Sequence, residues 1–262
     1  MVLFTPPRFY SFATMSEIEK GWYKQWFNSP YYYTLYKNRN TAEAENFVTK
    51  LVEYLQLPTH TRVLDVACGK GRHSIAMADM NLDVVGVDLS EEAIKEAQTH
   101  AHNHLQFFIH DMRLPFWVNY FGVVVNLFTS FGYFNTQREH QNALRTMCQA
   151  LEPSGQLVID YLNYFPIVQQ LPAEHFIEED GIQFHVKKWS NTRHIIKNIE
   201  VKDGAETYSF SEQVAIFSLQ DFESMLSAYG VSIKAVFGNY QLQPYHADTS
   251  DRLIIIAEKQ QV

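Results

Sequence analysis

The run Val63-Leu64-Asp65-Val66-Ala67-Cys68-Gly69-Lys70-Gly71-Arg72-His73 sets a carboxylate and two closely spaced glycines at the end of an apolar stretch. Residues of those types, in that order, suit a turn from a buried strand into a helix that holds a nucleotide. Glycine lets the backbone turn tightly and lets a ligand come close, while the amides at the start of the next helix attract negative charge. An ordinary strand-to-helix connection would also accept the pattern. Two further acids favour the ligand: Asp88 closes the apolar run Asp83-Val84-Val85-Gly86-Val87, and Asp111 follows Gln106-Phe107-Phe108-Ile109.

Dinucleotide turns add a third glycine in the pattern G-x-G-x-x-G, a place held here by Ser74. A pyrophosphate ligand is therefore disfavoured, and with it a nicotinamide-dependent oxidoreductase. A cofactor with a ribose and a carboxylate but no phosphate fits better. Asp88 would accept from both ribose hydroxyls, and the glycine amides would cradle the carboxylate. S-adenosylmethionine has those groups.

A set of alternating strands and helices must line these side chains up. Residues 41–57 read as an amphipathic helix, with Ala44, Phe47, Val48, Leu51, Val52 and Leu55 on one face and Pro58 ending it. A helix near 71–80 follows the glycine turn, and Ser90 can cap a helix with Glu91 and Glu92 in its first turn. Strands are expected at 106–109, 122–126 and 156–160, with a helix over 136–151 and a turn at Pro153-Ser154-Gly155. The alternation specifies an α/β, doubly wound sheet, whose ligand lies beyond the carboxyl ends of the strands where the strand order reverses. Asp65, Asp88, Asp111, Asn126 and Asp160 all fall at or just past such ends. From 174 to 218 the pattern changes to alternating segments separated by turns such as Asp203-Gly204, the mark of antiparallel strands. A helix at 219–229 and strands at 231–237 and 252–257 complete the chain.

The 262 residues suffice for one such domain with an insertion, and no repeat or low-complexity linker divides them. A net charge of −8 argues against a surface built mainly to hold nucleic acid. No apolar stretch approaches the roughly 18 residues of a membrane span, and the start lacks the basic flank and apolar core of a signal peptide. A cytoplasmic protein with Cys68 and Cys148 as reduced thiols is expected.

Leu64-Asp65-Val66-Ala67-Cys68-Gly69-Lys70-Gly71, Val85-Gly86-Val87-Asp88-Leu89-Ser90 and His110-Asp111-Met112 resemble the class I S-adenosylmethionine-dependent methyltransferases, over about residues 30 to 260. Asn126-Leu127-Phe128-Thr129-Ser130-Phe131-Gly132-Tyr133-Phe134 looks like the segment after the fourth strand in a bacterial small-molecule subgroup related to sugar and glycine-type N-methyltransferases. That subgroup usually has a small residue where Lys70 stands. The resemblance implies a Rossmann-like, seven-stranded mixed sheet with its last two strands antiparallel at one side. Residues 1–57 would form a helical N-terminal lid, 58–173 and 219–262 the core, and 174–218 an antiparallel β insertion over the acceptor.

The resemblance also assigns roles. Asp65, Ala67, Cys68, Gly69, Gly71 and Arg72 would shape the loop around the methionine end of the cofactor. Asp88, with Leu89 and Ser90, would take the ribose, and Asp111 with the Met112 backbone would read the adenine amine. Leu89, Met112 and Leu127 would line the adenine pocket beside Asn126. In the phenol-rich segment 31–39, Tyr32 and Tyr36 stand one helical turn apart and would face the cofactor together, and Arg39 would pair with its carboxylate. A surface helix of amphipathic tyrosines is the alternative.

Methyl transfer is an in-line displacement that disperses the sulfonium charge, so alignment and exclusion of water supply most of the acceleration. An acceptor that must lose a proton needs a nearby base. Tyr133, Asp160 and His246 are the candidates, and Phe131, Tyr133, Tyr161, Asn163 and Tyr245 are candidate walls of the acceptor pocket. Asn126-Leu127-Phe128 departs from the Asn/Asp-Pro-Pro-aromatic motif of enzymes that methylate bases or glutamine, which counts against nucleic-acid amino groups. The expected function is methyl transfer from S-adenosylmethionine to a small molecule, with nitrogen favoured over oxygen by the subgroup resemblance. A methyltransferase of RNA or protein and a non-catalytic S-adenosylmethionine-binding regulator are the alternatives, and the chain would be a monomer or homodimer. His100, His102 and His104 have no carboxylate or cysteine partner in the sequence pattern, and no metal is expected.

Overall fold

The computed structural model describes residues 21–37 and 41–261. The first half of the chain runs α1 (Trp22–Phe27), α2 (Pro30–Leu35), α3 (Thr41–Leu55), β1 (Arg62–Val66), α4 (Arg72–Asp79), β2 (Asp83–Asp88), α5 (Glu91–Ala97), β3 (Leu105–Ile109), β4 (Phe121–Asn126) and α6 (Gln137–Ala150). The second half runs β5 (Leu151–Leu162), α7 (Tyr164–Gln169), β6 (Ala173–Glu179), β7 (Ile182–Ser190), β8 (His194–Asp203), β9 (Glu206–Ala215), α8 (Leu219–Ser227), β10 (Val231–Phe237) and β11 (Arg252–Lys259).

Seven strands make one sheet in the order β10-β11-β5-β4-β1-β2-β3, and β6 to β9 make a separate antiparallel sheet. β1 pairs in parallel with β2 on one side and β4 on the other, so the strand order reverses at β1/β4. β11 runs antiparallel to both β5 and β10. β1 and β4 are buried on both faces, which is why Val63-Leu64 and Val123-Val124-Val125 read as continuous apolar runs. β3 is an edge strand, and its Phe108 and Ile109 are exposed.

Apolar layers cover both faces of the large sheet. One includes Leu144, Met147 and Phe222 from α6 and α8, and the other Phe47, Leu51, Met77 and Ile94 from α3, α4 and α5. Reciprocal capping boxes, Thr136 with Glu139 and Ser218 with Asp221, fix where α6 and α8 begin. A third cluster seats Trp22 and Trp26 of α1 on Phe184, Val186, Ile199 and Val201 of the small sheet.

Two local expectations change. β5 begins at Leu151 and takes in Pro153-Ser154-Gly155, because Phe121 pairs with Leu151 across a register shift and keeps the segment in the sheet. α7 was not anticipated from the sequence. Among the described residues no helix is long and apolar enough to cross a membrane.

Candidate active site

The glycine turn leaves β1 through Ala67 at φ 60°, Gly69 at φ 57° and Gly71 at φ 83°. Gly71 is dictated twice over, since a Cβ there would stand 2.7 Å from the Phe107 ring in a backbone region that side chains avoid. Below the turn, Ser74 Oγ donates to Asp65 Oδ2 at 2.6 Å. The serine that replaces the third glycine thus pins the start of α4 to β1. Burial pushes the Asp65 carboxyl up to about 7.

Beyond the carboxyl ends of β1, β2 and β4 lies a cavity of about 980 Å³. Ala67, Cys68, Gly69 and Arg72 contribute its loop wall, and Asp88, Leu89 and Ser90 contribute the next. Asp88 borders the cavity and accepts from Gly69 N at 2.9 Å through Oδ2 and from Ser90 N at 2.8 Å through Oδ1. Burial raises its carboxyl above the ordinary range, although those amides oppose the shift. Ser90 also caps α5 and donates to Asn28 Oδ1 at 2.5 Å, tying the α1–α2 connection to the cavity rim.

Asp111, Met112 and Leu127 also line the cavity, as do Tyr32, Tyr36 and Tyr133. Asp111 is not a free carboxylate. Arg113 holds it through Nε at 3.0 Å and Nη2 at 2.6 Å and reaches Glu139 at 2.7 Å. Burial would raise the Asp111 carboxyl, but the Arg113 hydrogen bonds outweigh it and hold it below the usual range.

Other sequence candidates lie away from the cavity wall. Asp65 and Gly71 sit beneath it as described, and Asn126 is fully buried, giving its Nδ2 hydrogen to Val66 O at 2.9 Å. Its Oδ1 has no partner among the described residues. Phe131 packs in the core among His140, Phe217 and Phe222. Tyr161 is buried, and its hydroxyl donates to Ala215 O.

Asp160, a candidate base, has both oxygens committed. Oδ2 accepts from Phe128 N at 2.8 Å and Tyr240 Oη at 3.1 Å, and Oδ1 accepts from Arg252 Nε at 2.8 Å. It holds the loop after β4, where Phe128 and Thr129 take positive φ, a strain of the sort that gathers at functional sites. Asn163 Nδ2 donates to Ala247 O and Ser250 O, and Tyr245 Oη donates to Asn163 Oδ1. These two therefore brace the β10–β11 connection. His246 is an exposed member of that connection. Of the proposed bases, Tyr133 alone borders the cavity. Arg39 lies outside the described residues.

The far wall holds groups that sequence reasoning missed. Lys188, Lys197 and Glu212 reach the cavity from β7, β8 and β9. Glu212 accepts from Trp26 Nε1 at 2.5 Å and Tyr36 Oη at 2.9 Å and pairs with Lys197 at 2.8 Å. Tyr32 and Tyr36 do meet, edge to face with centroids 5.2 Å apart, but Tyr36 is fastened to the small sheet. Strand alternation could have flagged charges among apolar neighbours in 184–214, though not their pairing.

His104 does find a carboxylate. At the opposite, amino-terminal ends of the strands, His60 Nδ1 lies 3.1 Å and His104 Nδ1 2.8 Å from Asp83 Oδ1. Pairing of β2 with β3 brings together residues that the local pattern keeps apart, and the three potential ligand atoms lie within 4.8 Å of one another.

A parallel sheet that reverses at β1/β4, a left-handed glycine turn and a buried carboxylate ending β2 define an adenosyl-cofactor site of the class I methyltransferase type. The donor set fits S-adenosylmethionine: Asp88 at the cavity wall offers carboxylate oxygens for a diol, and the glycine turn lines the cavity through Ala67, Cys68 and Gly69 without a phosphate-binding third glycine. Residues 57–204 match the family model described as a methyltransferase domain, and the chain belongs to that family of S-adenosylmethionine-dependent enzymes. It is 28% identical over 221 residues to the Bacillus subtilis protein YqeM, covering 80% of this chain and 89% of that one. It is 26% identical over 196 residues to the dTDP-3-amino-3,4,6-trideoxy-alpha-D-glucopyranose N,N-dimethyltransferase of Streptomyces venezuelae, covering 69% and 79%. The solved structure of an S-adenosylmethionine-dependent methyltransferase from Clostridium acetobutylicum ATCC 824 superposes with a TM-score of 0.74 at 15% identity, covering 88% and 96%.

Proposed function

We propose that the enzyme methylates an amine nitrogen of a small molecule, which binds in the part of the cavity between the loop after β4 and the small sheet. The observation that carries this reading is the continuity of the space from the glycine turn to Lys197 and Glu212 beneath the aromatic side chains of α1 and α2. Such a roof suits an acceptor that enters whole. The similarity to an amino-sugar N,N-dimethyltransferase supports nitrogen as the acceptor atom.

S-adenosylmethionine, when bound, supplies an electrophilic methyl group on a sulfonium. The protein's own residues align and enclose. Asp88 would take the ribose, Leu89, Met112 and Leu127 would hold the adenine, and the glycine-turn amides would hold the amino-acid end. Tyr133 borders the acceptor space and packs on Trp22 and Phe27 with centroids at 5.7 and 5.2 Å, a wall that excludes water. The aromatic faces of Tyr133 and Tyr36 also favour an ammonium close by.

The test is transfer of a deuterated methyl group from labelled S-adenosylmethionine to separate pools of small amines, small alcohols and phenols, RNA and protein, read by mass spectrometry. Label on small amines is the expected result. Label confined to hydroxyl compounds, RNA or protein would overturn the proposal.

A further inference from the structure

The face of the small sheet that meets α1 is built from four rows across β7, β8 and β9. Phe184-Val201-Tyr208, Val186-Ile199-Phe210 and Ser190-Ile195-Val214 carry no charge. The remaining row is Lys188-Lys197-Glu212, and it faces the cavity. Three ionisable groups on a covered sheet face need a reason, because a buried charge is unfavourable unless it is paired.

Glu212 answers only one of the two cations. Its Oε2 pairs with Lys197 at 2.8 Å, and its Oε1 accepts from Trp26 Nε1 and Tyr36 Oη. Lys188 stands directly opposite Lys197 in the β7–β8 register, a like-charge pairing that destabilises a sheet. Among the described residues no hydrogen bond or ion pair holds its ammonium. Burial first, and then the Lys197 charge, push the Lys188 ammonium below its ordinary pKa, and the nearby Glu212 charge opposes them without cancelling the shift. The other cation at this end, Arg252, is already matched by Asp160 at 2.7 Å. Among the described residues the Lys188 ammonium thus stands without a contacting anion, and it borders the cavity.

We propose that Lys188 is the anion-binding residue of the acceptor site, so that the acceptor carries a carboxylate or phosphate group beside the atom that is methylated. This rests on the reading of the cavity's small-sheet end as the acceptor site. An anion on Lys188 would pair with it as Glu212 pairs with Lys197, and would screen the two ammonium groups from each other. Carboxylate and phosphate share that chemistry and differ in charge and size.

The experiment titrates acetate and, separately, inorganic phosphate into protein saturated with S-adenosylhomocysteine, followed by calorimetry or by ligand-detected NMR. Wild-type protein is expected to bind one of the two saturably, and the tighter anion identifies the acceptor's group. Lys188→Met should weaken that binding about tenfold or more, as loss of a charge-assisted hydrogen bond requires. Lys188→Arg should retain it, and Lys188→Gln provides a second neutral variant should the methionine protein fold poorly. Binding of neither anion to wild type, or equal binding to wild type and a folded neutral variant, would overturn the proposal. Failure of S-adenosylhomocysteine to bind wild-type protein would strike the cofactor reading, a separate outcome scored before any anion is added.

Discussion

Asp88 and Asp160 are both carboxylates at the ends of core strands, and their neighbours give them different work. Asp88 has one amide on each oxygen and borders the cavity, whereas Asp160 is saturated by Phe128 N, Tyr240 and Arg252. The sequence places both at strand ends, but the partners of Asp160 come from β11, from the segment that joins it to β10 and from the loop after β4. Local pattern therefore finds the carboxylate and not its task. His140 shows the same limit, since its ring lies among Phe131, Phe134 and Phe217 and burial pushes its pKa down to about 4. An unfolded histidine titrates near 6.5, so below that pH the unfolded chain binds a proton that the native ring refuses. The resulting stability is present above pH 6.5 and is lost as pH falls toward 4, by about 3 kcal/mol over the interval. Asp65, raised to about 7, works in the opposite sense, favouring the native state until pH rises through that value. Urea unfolding of wild type and His140→Gln at pH 7 and pH 5 separates the two. The variant should lose less stability between those pH values, and equal losses would show that His140 is not the buried neutral group.

At the scale of elements, the strands of the large sheet were legible because burial on both faces leaves continuous apolar runs, as in β4. The small sheet was legible as antiparallel strands, yet the register that sets Lys188, Lys197 and Glu212 in one row depends on long-range pairing. That register gives Tyr36 a structural role. It joins α2 to β8 and β9 through Lys197 and Glu212, while Trp26 joins α1 to the same carboxylate. Glu212→Gln leaves the Lys197 ammonium poorly paired and should destabilise the protein by about 2–4 kcal/mol in urea unfolding. Adding Lys197→Met should recover a large part of that loss, because the unpaired charge goes with it. Additive losses in the double variant would show that the two groups are not coupled.

At the scale of the whole molecule, the large sheet supplies the cofactor crevice at its strand-order reversal, and the small sheet with α1 and α2 supplies the opposite wall. The fold class and the cofactor loop could be read from the sequence because glycines, strand-end acids and strand–helix alternation are local. The opposite wall could not, because Trp26 and Tyr36 meet Lys197 and Glu212 from more than 160 residues away in the chain. The account's central claim, that the cavity beside the glycine turn is the adenosyl site and Asp88 its ribose acceptor, is tested most directly by calorimetric titration of S-adenosylhomocysteine into wild type and Asp88→Ala. The account predicts one molecule bound per wild-type chain and affinity lower by about tenfold or more in a folded Asp88→Ala protein, as expected when charge-assisted hydrogen bonds are lost. Equal affinity in the two proteins would contradict it.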